Sequence, residues 1–399
     1  MCPSMQICHS ASIVKVTVSV LGRSHAFYLA HQLHRRRYLD RLITTYPKFE
    51  VVKYGIPKAR TVSLRRIEAA TRAWLAAPER LKTDTDLEFH LHECFDRAAE
   101  KHVLPGISLF VGWSGFSERG LLRARKQGAC TILERGSAHI ESQRDILREE
   151  YEKYGVRARL PNARIVEKEM REYEMADYIS TPSSFVRRTF VSKGFPKAKL
   201  LQTPLGVDLS EFQPRPKSDG VFRVVYAGRL ELQKGVQYLL QAFAELRLRD
   251  AELWLIGSRL DELTPFLDRY RGSYIHIDHV PQPKLCEYYS QCSVFVLPSV
   301  HDGFGMVLPQ AMACGLPVIC TANTAGEDLV TNGVEGFVIP IRDIAALKDK
   351  LLYLYENQGI CGEMGISALE RVARGLTWDD YGQRVCQQYS RILQEKGCL

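Results

Sequence analysis

The chain has 399 residues, 45% apolar and 25% charged, enough to bury more than one sizeable core, so two globular domains are expected rather than a small disulfide-stapled fold. Its net charge of +8 is unevenly spread: residues 1–200 hold 35 basic and 22 acidic side chains (net +13), and residues 201–399 hold 19 and 24 (net −5). No apolar run approaches the roughly 20 residues of a spanning helix, the N-terminus lacks a basic segment before a long apolar one, and the 11 cysteines form no CxxC pair, which argues against a spanning, exported or zinc-knuckle protein and for a reducing cytoplasm.

Along the chain, "SIVKVTVSV" (12–20) reads as a buried strand, followed by a turn around Gly22 and the helical "HAFYLAHQLHRRR" (25–37). "ARTVSLRRIEAATRAWLAA" (59–77) has the period of an amphipathic helix, with Leu64, Ile67, Trp74 and Leu75 on one face and Arg65, Arg66 and Arg72 away from it. That face either packs on its own domain or docks on an anionic membrane, for which a Trp with basic flanks is suited. "DTD" (84–86) lies in a polar stretch with no buried strand before it, and of "HLHEC" only His90 and Cys94 share a helical face, so no metal site is assigned. "HVLPGISLFVG" (102–112) and "GACTILERGS" (128–137) read as strands, the second of which would bring Glu134, Arg135 and His139 to the cleft, where polar groups could meet acceptor or donor sugar, or else hold the loop as structure. "EKEMREYEMAD" (167–177) is expected to be a solvated helix face with paired charges.

"PLGVDLSEFQPRPKSDG" (204–220), rich in Pro, Gly and Asp and without a period, reads as an interdomain linker. Beyond it "FRVVYAG" (222–228), "AELWLIGS" (251–258), "YIHIDHV" (274–280), "SVFVLPS" (293–299), "PVICTAN" (317–323) and "EGFVIP" (335–340) alternate with helical segments, the grammar of a parallel sheet. The expected fold class is α/β: two Rossmann-like, doubly wound domains, 1–204 and 205–379, facing a central cleft, with a helix of about 380–399 packing back on the first.

In such sheets ligands bind beyond the carboxyl ends of the strands, so "HDGFGMVLPQAMACGLPVIC" (301–320) is a natural site. Gly303 and Gly305 let the backbone approach a ligand, and N–H groups near Met306, Val307 and Leu308 at the start of a helix suit an anion such as diphosphate. Asp302 can accept from hydroxyls, and Gln310 can donate and accept, which suits a polyol on either side of a phosphate. In "YAGRLELQKGVQYLL", Arg229 and Lys234 fall in the loop after the 222–228 strand, two cations at the same sheet edge.

"GRLELQKG", "VFVLPS", "DGFGMVLPQAMACGLPVICT" and "NGVEGFVIP", preceded by "ADYISTPSSF" and "PLGVDLSEFQP", stand in the order found in retaining glycosyltransferases of family 4, which the chain resembles over about residues 164–380. The resemblance implies the two-domain architecture called GT-B and a metal-independent hexosyltransferase, as in polysaccharide biosynthesis. It implies no cofactor, a nucleoside-diphosphate sugar as donor, and a glycan or glycolipid acceptor held largely by the first domain. On the same resemblance Arg229 and Lys234 neutralise the leaving diphosphate, and backbone groups of Gly303, Phe304, Gly305, Met306, Val307 and Leu308 hold sugar and phosphates. His279 and Val280 would meet the base. Asp302 and Gln310 stand where the family usually carries two glutamates eight apart, the first on the donor sugar and the second on the ribose. Gly22, with Arg23 and His25 beside it, occupies the turn where the family shows a richer glycine loop, and His139 falls several residues past the family's histidine.

Two other readings stay open on the residues: a sugar-nucleotide epimerase on the same architecture, and a non-catalytic sugar-nucleotide-binding relative. The basic half carries no nucleic-acid recognition motif, so nucleic acid is not an expected partner. The expected location is the cytoplasm, with peripheral contact at the inner face of an anionic membrane.

Overall fold

The computed structural model describes residues 14–76, 86–158 and 160–397. Asp84 of the "DTD" pattern and the side chain of Leu75 lie outside the described residues. The strands are β1 (Val16–Val20), β2 (Leu39–Thr44), β3 (Thr61–Ser63), β4 (Leu109–Trp113), β5 (Cys130–Glu134), β6 (Tyr178–Thr181) and β7 (Leu200–Gln202). After them come β8 (Phe222–Ala227), β9 (Ala251–Ile256), β10 (Ile275–Ile277), β11 (Val294–Leu297), β12 (Val318–Thr321) and β13 (Gly336–Ile339). They form a seven-stranded sheet in the order β3-β2-β1-β4-β5-β6-β7 and a six-stranded sheet in the order β10-β9-β8-β11-β12-β13.

Every ladder of the second sheet is parallel, and so are those joining β1 to β5 in the first. In each sheet the chain winds outward to one edge and then returns to the far side of its starting strand. The loops after β1 and β4, and those after β8 and β11, therefore leave neighbouring strands in opposite directions, which opens a crevice between them. The residues account for this pattern. β1, β4, β5, β8 and β11 are buried at every position, as strands covered by helices on both faces must be, and their Val, Ile, Leu and Phe content supports it.

By internal packing the chain divides into two compact units, residues 1–134 with 167–179 and 382–399, and residues 135–166 with 180–381. Residues 204–220 form no regular element, yet Leu205, Val207 and Phe212 are buried and Val207 bridges to Thr377. This stretch is packed against the second unit along part of its length.

The segment 167–177 overturns the expectation of a solvated face. Lys168, Glu172 and Tyr173 are fully buried and Glu169 nearly so. Lys168 Nζ reaches Asp96 Oδ2 at 2.7 Å and also pairs with Glu93. Glu172 accepts from the N–H groups of Gly115 at 2.5 Å and Ser117 at 2.7 Å. Helical charge spacing looks the same whether the partner is water or another helix, so the pattern alone could not reveal the burial.

Candidate functional site

The loops after β8 and β11 lie side by side in the second unit, and two glycines set how closely they meet each other and the segment after β5. Gly235 takes φ +69°, and a Cβ there would run into the Pro298 carbonyl oxygen. A Cβ on Gly303 would strike the carbonyl oxygen of Gly136, in the segment that follows β5. The backbone of Gln233 joins the two loops, its carbonyl accepting from the N–H groups of Val300 at 3.0 Å and His301 at 3.3 Å.

This packing brings Lys234 and Asp302 together. Lys234 Nζ lies 2.5 Å from Asp302 Oδ2, while Asp302 Oδ1 accepts from the N–H groups of Gly305 at 2.9 Å and Phe304 at 3.3 Å. Burial pushes the Asp302 carboxyl up, but the Lys234 ammonium outweighs it and holds the group below its ordinary value. Asp302 thus anchors the glycine turn from within. Of the expected anion-binding N–H groups, those of Phe304 and Gly305 are engaged by Asp302, and that of Leu308 donates to Gly305 O at 2.8 Å. Gln310 is buried in the helix Val307–Ala313. Arg229 is drawn to a different carboxylate, with Nη2 3.2 Å from Glu231 Oε1 and most of its side chain in solvent.

The residue that ties the loops together is His301, which the sequence reading passed over although it adjoins Asp302. It is 1% exposed, and burial drops its pKa to about 4, so the ring is neutral at pH 7. The Gln233 side-chain amide lies 3.2 Å from its Nδ1, which assigns the ring proton to Nε2, 3.2 Å from Ser137 Oγ. Ser137 Oγ in turn donates to Gln143 Oε1 at 3.2 Å, an oxygen shared with Arg135 Nη2 at 2.7 Å. Ser183 closes the frame by donating to the Gly303 carbonyl at 2.6 Å. Gln233 and Ser183 were likewise missed, because only long-range contacts distinguish them from ordinary loop residues.

Other expected residues are placed elsewhere. His139 is fully buried, ringed by Phe190 at 5.1 Å and Phe195 at 5.6 Å, with its backbone N–H given to Thr189 Oγ1, which fits the structural loop role. Burial lowers its pKa to about 4. Arg135 is 7% exposed and also donates to Ala138 O at 2.9 Å. The chain turns inward after β5 to start the helix Ile140–Lys153, which makes both residues framework. His279 is exposed and Val280 half-buried, just past β10; β10 is an edge strand separated from β8 by β9.

In the first unit, Glu134 Oε2 lies 3.3 Å from His25 Nε2, and the His25 ring packs on Trp113 at 5.0 Å. Gly22 takes φ +81°; its N–H donates to Thr45 Oγ1 and its carbonyl accepts from Thr44 Oγ1. Arg23 lies over the Tyr54 ring, its Nη1 2.5 Å from the hydroxyl. No group of three or more potential metal-binding His, Cys, Asp or Glu side chains occurs among the described residues.

Residues 221–357, which contain Lys234, His301 and Asp302, match the family described as glycosyl transferases group 1. A D-inositol 3-phosphate glycosyltransferase of Arthrobacter sp. (strain FB24) is 32% identical over 211 residues, 48% of this chain and 50% of that protein. The chain spans about half the length of the curated relatives it matches. Among solved structures, sucrose-phosphate synthase from Thermosynechococcus elongatus superposes with a TM-score of 0.70 at 20% identity, over 96% of this chain and 100% of that one. The Anabaena protein HepE in complex with UDP-glucose gives 0.67 at 15% identity, over 94% and 99%. These likenesses show the fold, the GT-B architecture of two Rossmann-like sheets.

Proposed function

We propose that the chain is a glycosyltransferase that moves a hexose-like sugar from a nucleoside diphosphate to a glycan or lipid-linked acceptor, with retention of configuration. The observation that carries this reading is the Lys234–Asp302 pair, which joins the loop after β8 to the glycine turn after β11 inside the region that matches group 1 glycosyltransferases. In this reading Lys234, with Arg229 nearby in the same loop, neutralises the diphosphate as the bond from the sugar's anomeric carbon to the phosphate oxygen breaks. The acceptor oxygen bonds to that carbon, and the acceptor's proton leaves with the diphosphate. Fixed cations aimed at the charge that develops on the leaving group lower the barrier without reorganising, and need no metal. Asp302 then has two roles, holding the turn through Oδ1 and meeting sugar hydroxyls beside Lys234. Gln310 faces the ribose hydroxyls, and His279 and Val280 border the base.

The test is incubation of the full chain with radiolabelled UDP- and GDP-sugars, with and without candidate glycan and glycolipid acceptors, and with and without a chelator. The reading expects label in an acceptor-dependent product and no effect of chelation. Conversion of the donor sugar without an acceptor would indicate an epimerase instead. Donor binding with no turnover on any acceptor would indicate a non-catalytic relative.

A further inference from the structure

The helix Lys48–Val52 leaves Phe49 59% and Val52 42% exposed, two apolar side chains about one turn apart. All seven cations of residues 46–76, Lys48, Lys53, Lys58, Arg60, Arg65, Arg66 and Arg72, are exposed as well. The acids of the same stretch, Glu50 and Glu68, are partly buried, and each is held by a cation, Lys53 and Arg72 respectively, at 2.7 Å. Lys48, Lys58, Arg65 and Arg66 have no ion pair among the described residues. A hollow of about 540 Å³ lies between this helix and Arg65–Ala76, bordered by Tyr46, Phe49, Arg65 and Arg72 and by the paired acids Glu50 and Glu68. The apolar face expected to dock from 59–77 is not the exposed one, since Leu64, Ile67 and Trp74 are half-buried and Arg65, Arg66 and Arg72 point to solvent.

A surface of solvated charges would explain the cations but not Phe49 and Val52 among them. We propose that this face docks on an anionic lipid bilayer, with Phe49 and Val52 entering the headgroup boundary and Lys48, Lys58, Arg65 and Arg66 lying over the phosphates. Exposed apolar side chains beside Arg65 and Arg72, in a stretch whose acids are already paired with cations, complement such a surface in both polarity and charge. Among the described residues no helix is long and apolar enough to cross a membrane, so the contact is peripheral and reversible. The inference rests on this surface alone and stands whether or not the chain transfers sugar.

The test is co-sedimentation of the full chain with phosphatidylcholine vesicles, with and without phosphatidylglycerol, at low and physiological salt. Binding is expected only with phosphatidylglycerol, and it should weaken as salt rises. At about fivefold per cation near the surface, the double substitution Arg65→Gln/Arg66→Gln should weaken it roughly 25-fold. Phe49→Ser should weaken it on the order of tenfold. All three positions are exposed, so unchanged melting temperatures confirm intact folding. Equal binding to both vesicle types, or full binding by both variants, overturns the proposal.

Discussion

Lys234 and Asp302 satisfy each other so closely that either one alone becomes a liability. Lys234→Ala leaves a mostly buried carboxylate with only the turn's N–H groups as partners. Each side chain of the pair keeps 18% exposure, so the cost falls below that of a fully buried pair, at about 2 kcal/mol. Urea denaturation should register it, and adding Asp302→Asn should recover part of it. A single variant as stable as the parent would show that the pair contributes nothing to the fold. His301 supplies a second check. Its folded-state pKa of about 4 lies below its ordinary 6.5, so the unfolded chain takes up the proton first as the solution is acidified. Its contribution is present above pH 6.5 and is lost as pH falls towards 4. His301→Asn should flatten the loss of stability over that window, measured by denaturation at pH 7 and pH 5.

The glycine turn and the helix Ala163–Met175 each make a prediction of their own. Gly303→Ala sets a methyl group against the Gly136 carbonyl, backbone against backbone, so the turn must shift. A lower melting temperature and a loss of nucleotide-sugar binding larger than that of any exposed-residue variant are expected; wild-type values would mean that the two segments can part at no cost. In the helix, burial pushes the Glu172 carboxyl up to about 8 from 4.5. The folded state therefore holds the proton longer than the unfolded one. Stability from this group is full below about pH 4.5, declines as pH rises, and is gone above pH 8. Glu172→Gln cannot ionise and keeps an oxygen for the N–H groups of Gly115 and Ser117. Its melting temperature should decline less than that of the parent between pH 6 and pH 9.

Taken whole, the chain should respond to its proposed donor as a linked equilibrium. A ligand that binds only the folded state at a hundred times its dissociation constant adds about 2.7 kcal/mol of stability. Thermal-shift screening with UDP- and GDP-sugars should therefore single out one nucleotide class, with the same shift in chelator, and the shift should shrink in Lys234→Ala. No shift with any nucleotide sugar would remove the basis for the proposed reaction while leaving the membrane inference to its own test.

The strands of the second sheet were legible because each is a short apolar run, with β8, β11 and β12 buried at every position, a pattern local to the residues that carry it. The same holds for β1, β4 and β5. β2 was not, since Asp40 and Arg41 interrupt its apolar run, and β3 and β7 are too short to show a period. In the site, the spacing of Arg229, Lys234, Asp302 and the glycines could be read directly, because a turn between strand and helix is set by neighbours in sequence. Which carboxylate each cation meets could not. Lys234 and Asp302 are 68 positions apart, and the partner is decided by the adjacency of β8 and β11, a property of strand order rather than of either loop. Burial decided the remainder: His139 and the Lys168–Glu172 charges carry the same letters whether they face water or a neighbouring element. Only the packing of those elements settles which groups remain charged, which turn inward as framework, and which, like Phe49, stay at the surface.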